Sequence, residues 1–220
     1  MRSTHVIMTL QPTPLRMMTA GVILAFALSL LVPRAEAGEP QDKIKQTITD
    51  VLNVLSDESL KAPDKLPQRR AKIRQVVTSR FGFEEMARRS LGRHWRKLKP
   101  AQKKEFVPLF SDLLERSYIN KIEAYASSRD LEILYTKETI DKEGYAMVRT
   151  EIVSKRDLNF EVEYRLLQNK GNWETYDIVI EGVSLVNNYR TQFNKIIRQD
   201  SYQTLVKKLR LKIEQQNAVQ

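Results

Sequence analysis

The sequence predicts an α+β protein in which amphipathic helices come first, a curved antiparallel sheet of about four strands follows, and helices close the chain. Two observations carry this. Apolar residues recur at helical spacing before Ser128 and again from Leu185, whereas between them β-branched and aromatic residues alternate with charged ones. Gly144 and the stretch Gln168 to Asn172 interrupt the alternation with turn-forming residues, so neighbouring strands pair as antiparallel hairpins.

From Asp42 to Leu55, Ile44, Ile48, Val51, Leu52 and Leu55 fall on one side of a helix. Lys61 to Pro67 carries two prolines and reads as a linker. The next helix turns Ile73, Val76, Val77 and Phe81 inward and Arg69, Arg70, Lys72 and Arg74 to water. Phe83 to Leu91 is a short helix that Gly92 closes in the left-handed conformation. Pro100 opens the longest helix, with Phe106, Leu109, Phe110, Leu113, Leu114, Tyr118, Ile122 and Tyr125 at helical spacing. Pro108 inside it lacks a backbone donor and is expected to bend it. Strands are expected over 131–140, 145–155, 158–168 and 173–182. Phe160, Val162, Tyr164 and Leu166 then share one face, opposite Glu161, Glu163 and Arg165, and Tyr176, Ile178 and Ile180 share a face of the fourth strand. Tyr189, Phe193, Ile196 and Ile197 continue the helical period after Leu185, and a basic helix runs from Ser201 to about Gln215. Helices laid over one face of such a sheet enclose either a filled core or a cavity, and periodicity does not distinguish the two.

The first 37 residues have the anatomy of a cleaved export signal: Arg2 and Arg16, an uncharged run from Met17 to Val32, and small residues placed for a cut after Ala37. The expected mature chain, 38–220, is a single domain and a monomer. It contains no cysteine, so neither disulfides nor a lipid anchor on cysteine hold it. Arg2, Arg16, Arg34 and Glu36 fall in the leader, so the formal charge of +10 leaves +8 for residues 38–220. So basic an exported protein points to anionic partners, among which nucleic acid is the least compatible with export.

Catalytic chemistry is poorly provided for. Gly182-Val183-Ser184 sets a serine at a strand-to-helix turn, as a nucleophile elbow would, but Val186 replaces the elbow's second glycine. The base could only be His94, the one histidine beyond the leader. Ser184 is better explained as the cap of the next helix. With one histidine and no cysteine, no metal set forms, and Asp177, Glu161, Glu163 and Glu181 lack the spacing of a calcium loop. No cofactor is expected. The densest charge, Arg88 to Lys104, is either a solvated helix end or a docking patch for an acidic partner or membrane surface.

Trp173, Tyr176-Asp177, Glu181-Gly182-Val183-Ser184-Leu185-Val186, Asn188-Tyr189-Arg190 and Phe193 closely resemble the signature of the MlaC family, toluene-tolerance auxiliary proteins of phospholipid ABC transport. Upstream, Phe83, Leu91-Gly92, Trp95, Gln102, Phe106, Phe110, Leu113-Leu114 and Tyr118 resemble the family's preceding segment. Thr175 departs from the usual valine, and Lys99 stands where a Ser or Thr cap is common. The resemblance implies a nuclear-transport-factor-like sheet with helical additions around an apolar lipid pocket. It further implies a periplasmic carrier of phospholipid that maintains outer-membrane lipid asymmetry, with phospholipid as cargo. The implied partners are an outer-membrane lipoprotein–porin complex and an inner-membrane complex of an MCE-domain ring with an ABC ATPase. Two sixteen-carbon tails carry roughly 24 kcal/mol of gross transfer cost in water, which makes shielding necessary. The expected lipid-binding residues are Phe106, Phe110, Leu113, Tyr118, Phe160, Val162, Tyr164, Tyr176, Ile178, Ile180, Val183, Leu185, Val186 and Tyr189. The expected partner or headgroup surface is Arg88, Arg89, Arg93, Arg96, Lys97 and Arg190, with Arg190 and Glu181 forming a structural ion pair near the rim. A hopanoid cargo, or an adaptor with a filled core and no cargo, fits the same residues.

Overall fold

Helix α1 (Glu39–Ser56) begins a computed structural model that describes residues 39–126, 131–154 and 159–218. The expected leader lies outside the described residues, as does the side chain of Tyr125. Ile44 and Thr47 of α1 are buried, while Ile48, Val51, Leu52 and Leu55 are only half-buried. Two 3-10 turns, Glu58–Leu60 and Pro63–Lys65, occupy the predicted linker. Helix α2 (Leu66–Thr78) departs from expectation at both its face and its end. Arg69 pairs with Glu123 at 3.0 Å, and Arg74, still exposed, pairs with Asp112 at 2.8 Å and Glu115 at 2.7 Å, so both arginines reach carboxylates of a neighbouring helix. Phe81 lies beyond the helix: Gly82 N–H donates to the Thr175 carbonyl at 3.0 Å and Thr175 N–H to the Arg80 carbonyl at 3.2 Å. Open donors and acceptors on a strand edge outcompete one more helical turn.

Helix α3 (Phe83–Leu91) ends at Gly92, whose φ of +53° is paired with a ψ of −125°. That pair is outside the left-handed helical well and launches a 3-10 turn, Gly92–Lys97, which buries Trp95. Helix α4 (Pro100–Ala126) carries Pro108 within it. In place of a Ser or Thr cap, the Lys99 backbone N–H donates to Gln102 Oε1 at 2.9 Å, the return half of a capping box.

Five strands follow in the order β1 (Leu131–Ile140), β2 (Tyr145–Ser154), β3 (Phe160–Asn169), β4 (Asn172–Ile180) and β5 (Val183–Ser184), each antiparallel to the next. Lys170 and Gly171 both have positive φ, as do Glu181 and Gly182, so two-residue turns of the primed type connect β3 to β4 and β4 to β5. The sequence reading missed β5, because two residues are too few to alternate. Register slips in β1 near Tyr135 and in β4 between the partners of Arg165 and Leu166. The second slip corrects an expectation. Leu166 faces Thr175 while Arg165 faces Asp177, leaving Tyr176 as the extra residue of a bulge; it does not share a face with Ile178 and Ile180. Its ring instead meets Tyr145 edge-on at 5.9 Å and lies beneath the Arg89 guanidinium at 3.9 Å.

Helix α5 (Leu185–Gln199) and helix α6 (Tyr202–Ala218) complete the fold, the latter capped by Ser201 Oγ, which accepts from Thr204 N–H at 3.1 Å. Helices α3 to α6 close a core of their own around Met86, Leu91, Phe106, Phe110, Leu113 and Phe193. Three of its ring pairs meet edge-to-face, Phe106 to Phe193 at 5.8 Å, Phe110 to Tyr189 at 5.6 Å and Phe110 to Phe193 at 5.9 Å, while Phe106 and Phe110 stack at 6.0 Å.

Candidate functional site

The strand pairing assembles one apolar face. Ala146, Val148, Thr150 and Ile152 of β2 oppose Leu166, Tyr164, Val162 and Phe160 of β3. Ile133 and Tyr135 of β1 oppose Ile152 and Thr150, and Ile178 and Ile180 of β4 oppose Tyr164 and Val162. Helix α1 reaches this face, where the Gln41 N–H donates to Glu138 Oε1 at 2.8 Å and Glu138 stands opposite Val148. Burial is uneven across the face, with Thr150 0 % and Val162 5 % exposed between more accessible neighbours. Ala146, Val148 and Leu166 are buried, whereas Ile133, Ile152, Phe160, Ile178 and Ile180 retain accessible surface.

Tyr164 locates that surface. It too is only half-buried by accessible area, yet burial pushes its phenol far above the ordinary value of 10.0, partly offset by a hydrogen bond with Thr150. Tyr164 thus sits in a protein-rich environment on the sheet face and keeps part of its surface accessible. Burial raises Tyr135, its neighbour on β1, and Tyr118 on α4 in the same direction.

The predicted site residues therefore separate into groups. Phe160, Val162, Tyr164, Ile178 and Ile180 come together on the inner face of the sheet. Phe106 and Phe110 are 0 % exposed and Leu113 is 1 % exposed, and such side chains line no void that a water-sized sphere could enter. With Val186 and Tyr189 they belong to the helical core. Leu185 is buried at the start of α5, Tyr118 is half-buried against the helical core, Tyr176 lies on the opposite face of the sheet, and Val183 is exposed on β5. The reading missed Ile133, Tyr135 and Ile152, which keep accessible surface on this face, while Thr150 between them is 0 % exposed. The alternation of Ala146, Val148, Thr150 and Ile152 in β2 was a usable signal for Ile152, and its register with β3 was not visible.

The strand-to-helix junction is a structural joint. Ser184 Oγ accepts from Asn187 N–H at 3.0 Å, as predicted for a cap, and donates to Asp177 Oδ2 at 2.6 Å. Asp177, 4 % exposed, also accepts from Val186 N–H at 3.1 Å and meets Arg165 Nη1 at 3.5 Å. One carboxylate thus ties two strands to the helix N-terminus, where a negative charge is favoured. His94 bonds to Asn194 Oδ1 at 2.9 Å, so serine and histidine serve different partners. Gly182 has φ +76° with nothing within 4 Å of an added Cβ, so its backbone conformation, and not crowding, favours glycine.

Glu181 accepts from the Glu161 N–H, and Arg190 packs over Gly92, where an added Cβ would lie 2.9 Å from its Nε. No ion pair joins Glu181 to Arg190 among the described residues. Arg88 and Arg89 both pair with Glu85. Burial raises the Glu85 carboxyl, but bonds from these arginines overcome it and hold the group below its ordinary range. An open groove of about 440 Å³ runs between α4 and α6, lined by Gln102, Glu105, Tyr202, Val206 and Arg210 and by none of the predicted site residues. Among the described residues no group of three potential metal ligands occurs, and no helix is long and apolar enough to cross a membrane.

Residues 45–211 match the family model of the MlaC protein. The chain belongs to the MlaC family. It is 22 % identical over 193 residues to the intermembrane phospholipid transport system binding protein MlaC of Haemophilus influenzae, covering 85 % of this chain and 89 % of that one. It is also similar to the structure of the phospholipid-binding protein of Ralstonia solanacearum in complex with a phospholipid, with a TM-score of 0.69 and 25 % identity over 80 % of this chain and 98 % of that chain. The α+β fold with its open, curved antiparallel sheet agrees with the prediction, with β5 added at one edge.

Proposed function

We propose that this MlaC-family chain is a periplasmic carrier that holds phospholipid acyl chains against the inner face of its sheet and passes them between outer- and inner-membrane transport complexes. The observation that carries the reading is the set of side chains that the register brings to one face, Ile133, Ile152, Phe160, Tyr164, Ile178 and Ile180, all of which keep accessible surface. The phospholipid bound to the Ralstonia relative, and the transport role in the name of the Haemophilus one, support it. Acyl chains need only apolar contact, so the site needs no nucleophile, and the serine at the junction is occupied as a cap. Removing roughly thirty methylenes from water supplies more than enough driving force, so release requires the space to open at a partner. The outer-membrane lipoprotein–porin complex and the MCE-domain ABC transporter are the partners this proposal names.

Organic extraction of the purified, denatured chain followed by mass spectrometry tests it. Phospholipid in near-stoichiometric amount is expected. A chain that yields none, or one whose loading survives paired Tyr164→Glu and Ile178→Glu substitutions while it remains folded, overturns the proposal.

A further inference from the structure

Most of the arginines between the start of α2 and the end of α3, and on the sheet, have a carboxylate partner: Arg69, Arg74, Arg80, Arg88, Arg149 and Arg165 all do. The turn after α3 breaks that pattern. Residues 86–104 contain eight Lys or Arg and no Asp or Glu, whereas the sheet region 131–184 carries more acidic than basic residues. Arg93, Arg96, Lys97, Lys99 and Lys104 are exposed, as is Arg190, which the fold sets over Gly92 beside them. Arg93 Nη2 donates to Asn194 Oδ1 at 3.3 Å, which orients the guanidinium without neutralising it. No ion pair neutralises any of the six among the described residues. Like charges gathered this closely repel one another, so the cluster costs stability unless an anion meets it.

Two features choose among anionic partners. A protein interface is centred on buried aromatic or aliphatic anchors, but here the aromatic of the turn, Trp95, is 7 % exposed and tucked into the helical core, with Lys103 over its ring at 5.3 Å. The cations are also spread over a turn, the first residues of α4 and one residue of α5. Such a surface suits an anion that is laterally mobile and continuous, and each Lys or Arg near an anionic bilayer strengthens adsorption severalfold.

We propose that the turn Gly92–Lys97, with Lys99, Lys104 and Arg190, is a docking surface for the anionic headgroups of a phospholipid bilayer. This surface lies apart from the inner face of the sheet and holds whether or not that face carries lipid. Binding is reversible and electrostatic, strongest at low salt and lost as screening shortens the reach of the charges.

The test is vesicle flotation with residues 38–220, the chain without its expected leader, which lie within one compact unit. Vesicles of phosphatidylcholine with about one third phosphatidylglycerol are compared with pure phosphatidylcholine, at low salt and at 0.5 M. Adsorption to the anionic vesicles alone is expected, together with loss at high salt. The triple variant Arg93→Gln, Arg96→Gln, Lys97→Gln should bind about a hundredfold more weakly, at roughly fivefold per cation. A second variant, Lys99→Gln with Lys104→Gln, guards against misfolding of the first, and each variant's co-purified lipid is measured, so a change in cargo is told apart from a change in docking. The proposal is overturned by equal binding to both vesicle types, by absence of binding to either, by unchanged affinity in both variants, or by polyglutamate competing as well as the vesicles at equal charge, which would identify an acidic protein as the partner.

Discussion

Replacing Asp177 with alanine should destabilise the chain by about 3 kcal/mol. Three interactions leave with the carboxylate. The bond from Val186 N–H at 3.1 Å is a helix-capping contact worth about 1 kcal/mol. The bond from the Ser184 hydroxyl at 2.6 Å ends on a charged acceptor and is worth about 1.5 kcal/mol. The Arg165 contact at 3.5 Å, to a side chain 41 % exposed, adds no more than about 0.5 kcal/mol because water screens it. At about 2–4 °C per kcal/mol, the melting temperature followed by circular dichroism should fall by about 6–12 °C. Asp177→Asn keeps an oxygen for Val186 N–H and should cost about 1 kcal/mol. Ser184→Ala should cost about 1.5 kcal/mol, and the double variant with Asp177→Ala should cost at least about 1 kcal/mol less than the two separately, since the pair share a bond. A loss below about 1 kcal/mol for Asp177→Ala, or strict additivity, refutes the joint.

Phe110→Ala, in the closed helical core, should cost about 3–5 kcal/mol in urea unfolding and leave lipid loading per folded molecule unchanged, while Ile178→Glu should reduce loading at a smaller cost in stability. Burial raises Glu163, but bonds from Arg149 at 3.0 Å and Arg165 at 2.9 Å prevail, and the folded-state value lies below the ordinary 4.5. Its contribution is therefore complete above pH 4.5 and disappears as pH falls through the depressed value; urea midpoints measured between pH 7 and pH 3 should decline less steeply in Glu163→Gln. Gly182→Ala should cost about 1 kcal/mol from its positive φ alone, and Gly92→Ala more, because the added methyl also meets Arg190; melting temperatures should fall in that order.

The four main strands, α3 and the start of α5 were legible because each is bounded by residues with a local reason to stop a pattern: Gly92, Gly144, the Lys170-Gly171 pair and the Ser184 cap. Tyr176 was misplaced because a bulge inserts a residue without altering the alternation of residue types around it. Arg69 and Arg74 were assigned to water because their carboxylates lie far away on α4, beyond any local window. The candidate site was half legible for a related reason. Helical periodicity marks Phe106 and Phe110 as inward-facing but does not say whether a helix or a void stands opposite, and here the rings of α5 fill that space.

The short pairing of residues 80–82 with Thr175 also bears on how the chain folds. Phe81 and Thr175 are 94 positions apart, whereas the strands of the sheet are joined in sequence by hairpins. Loop-closure entropy makes the sheet the cheaper nucleus and the arm of α1 to α3 the later arrival. The arm is synthesised before the strand it pairs with, so its edge contact with Thr175 has to wait until most of the sheet has left the ribosome.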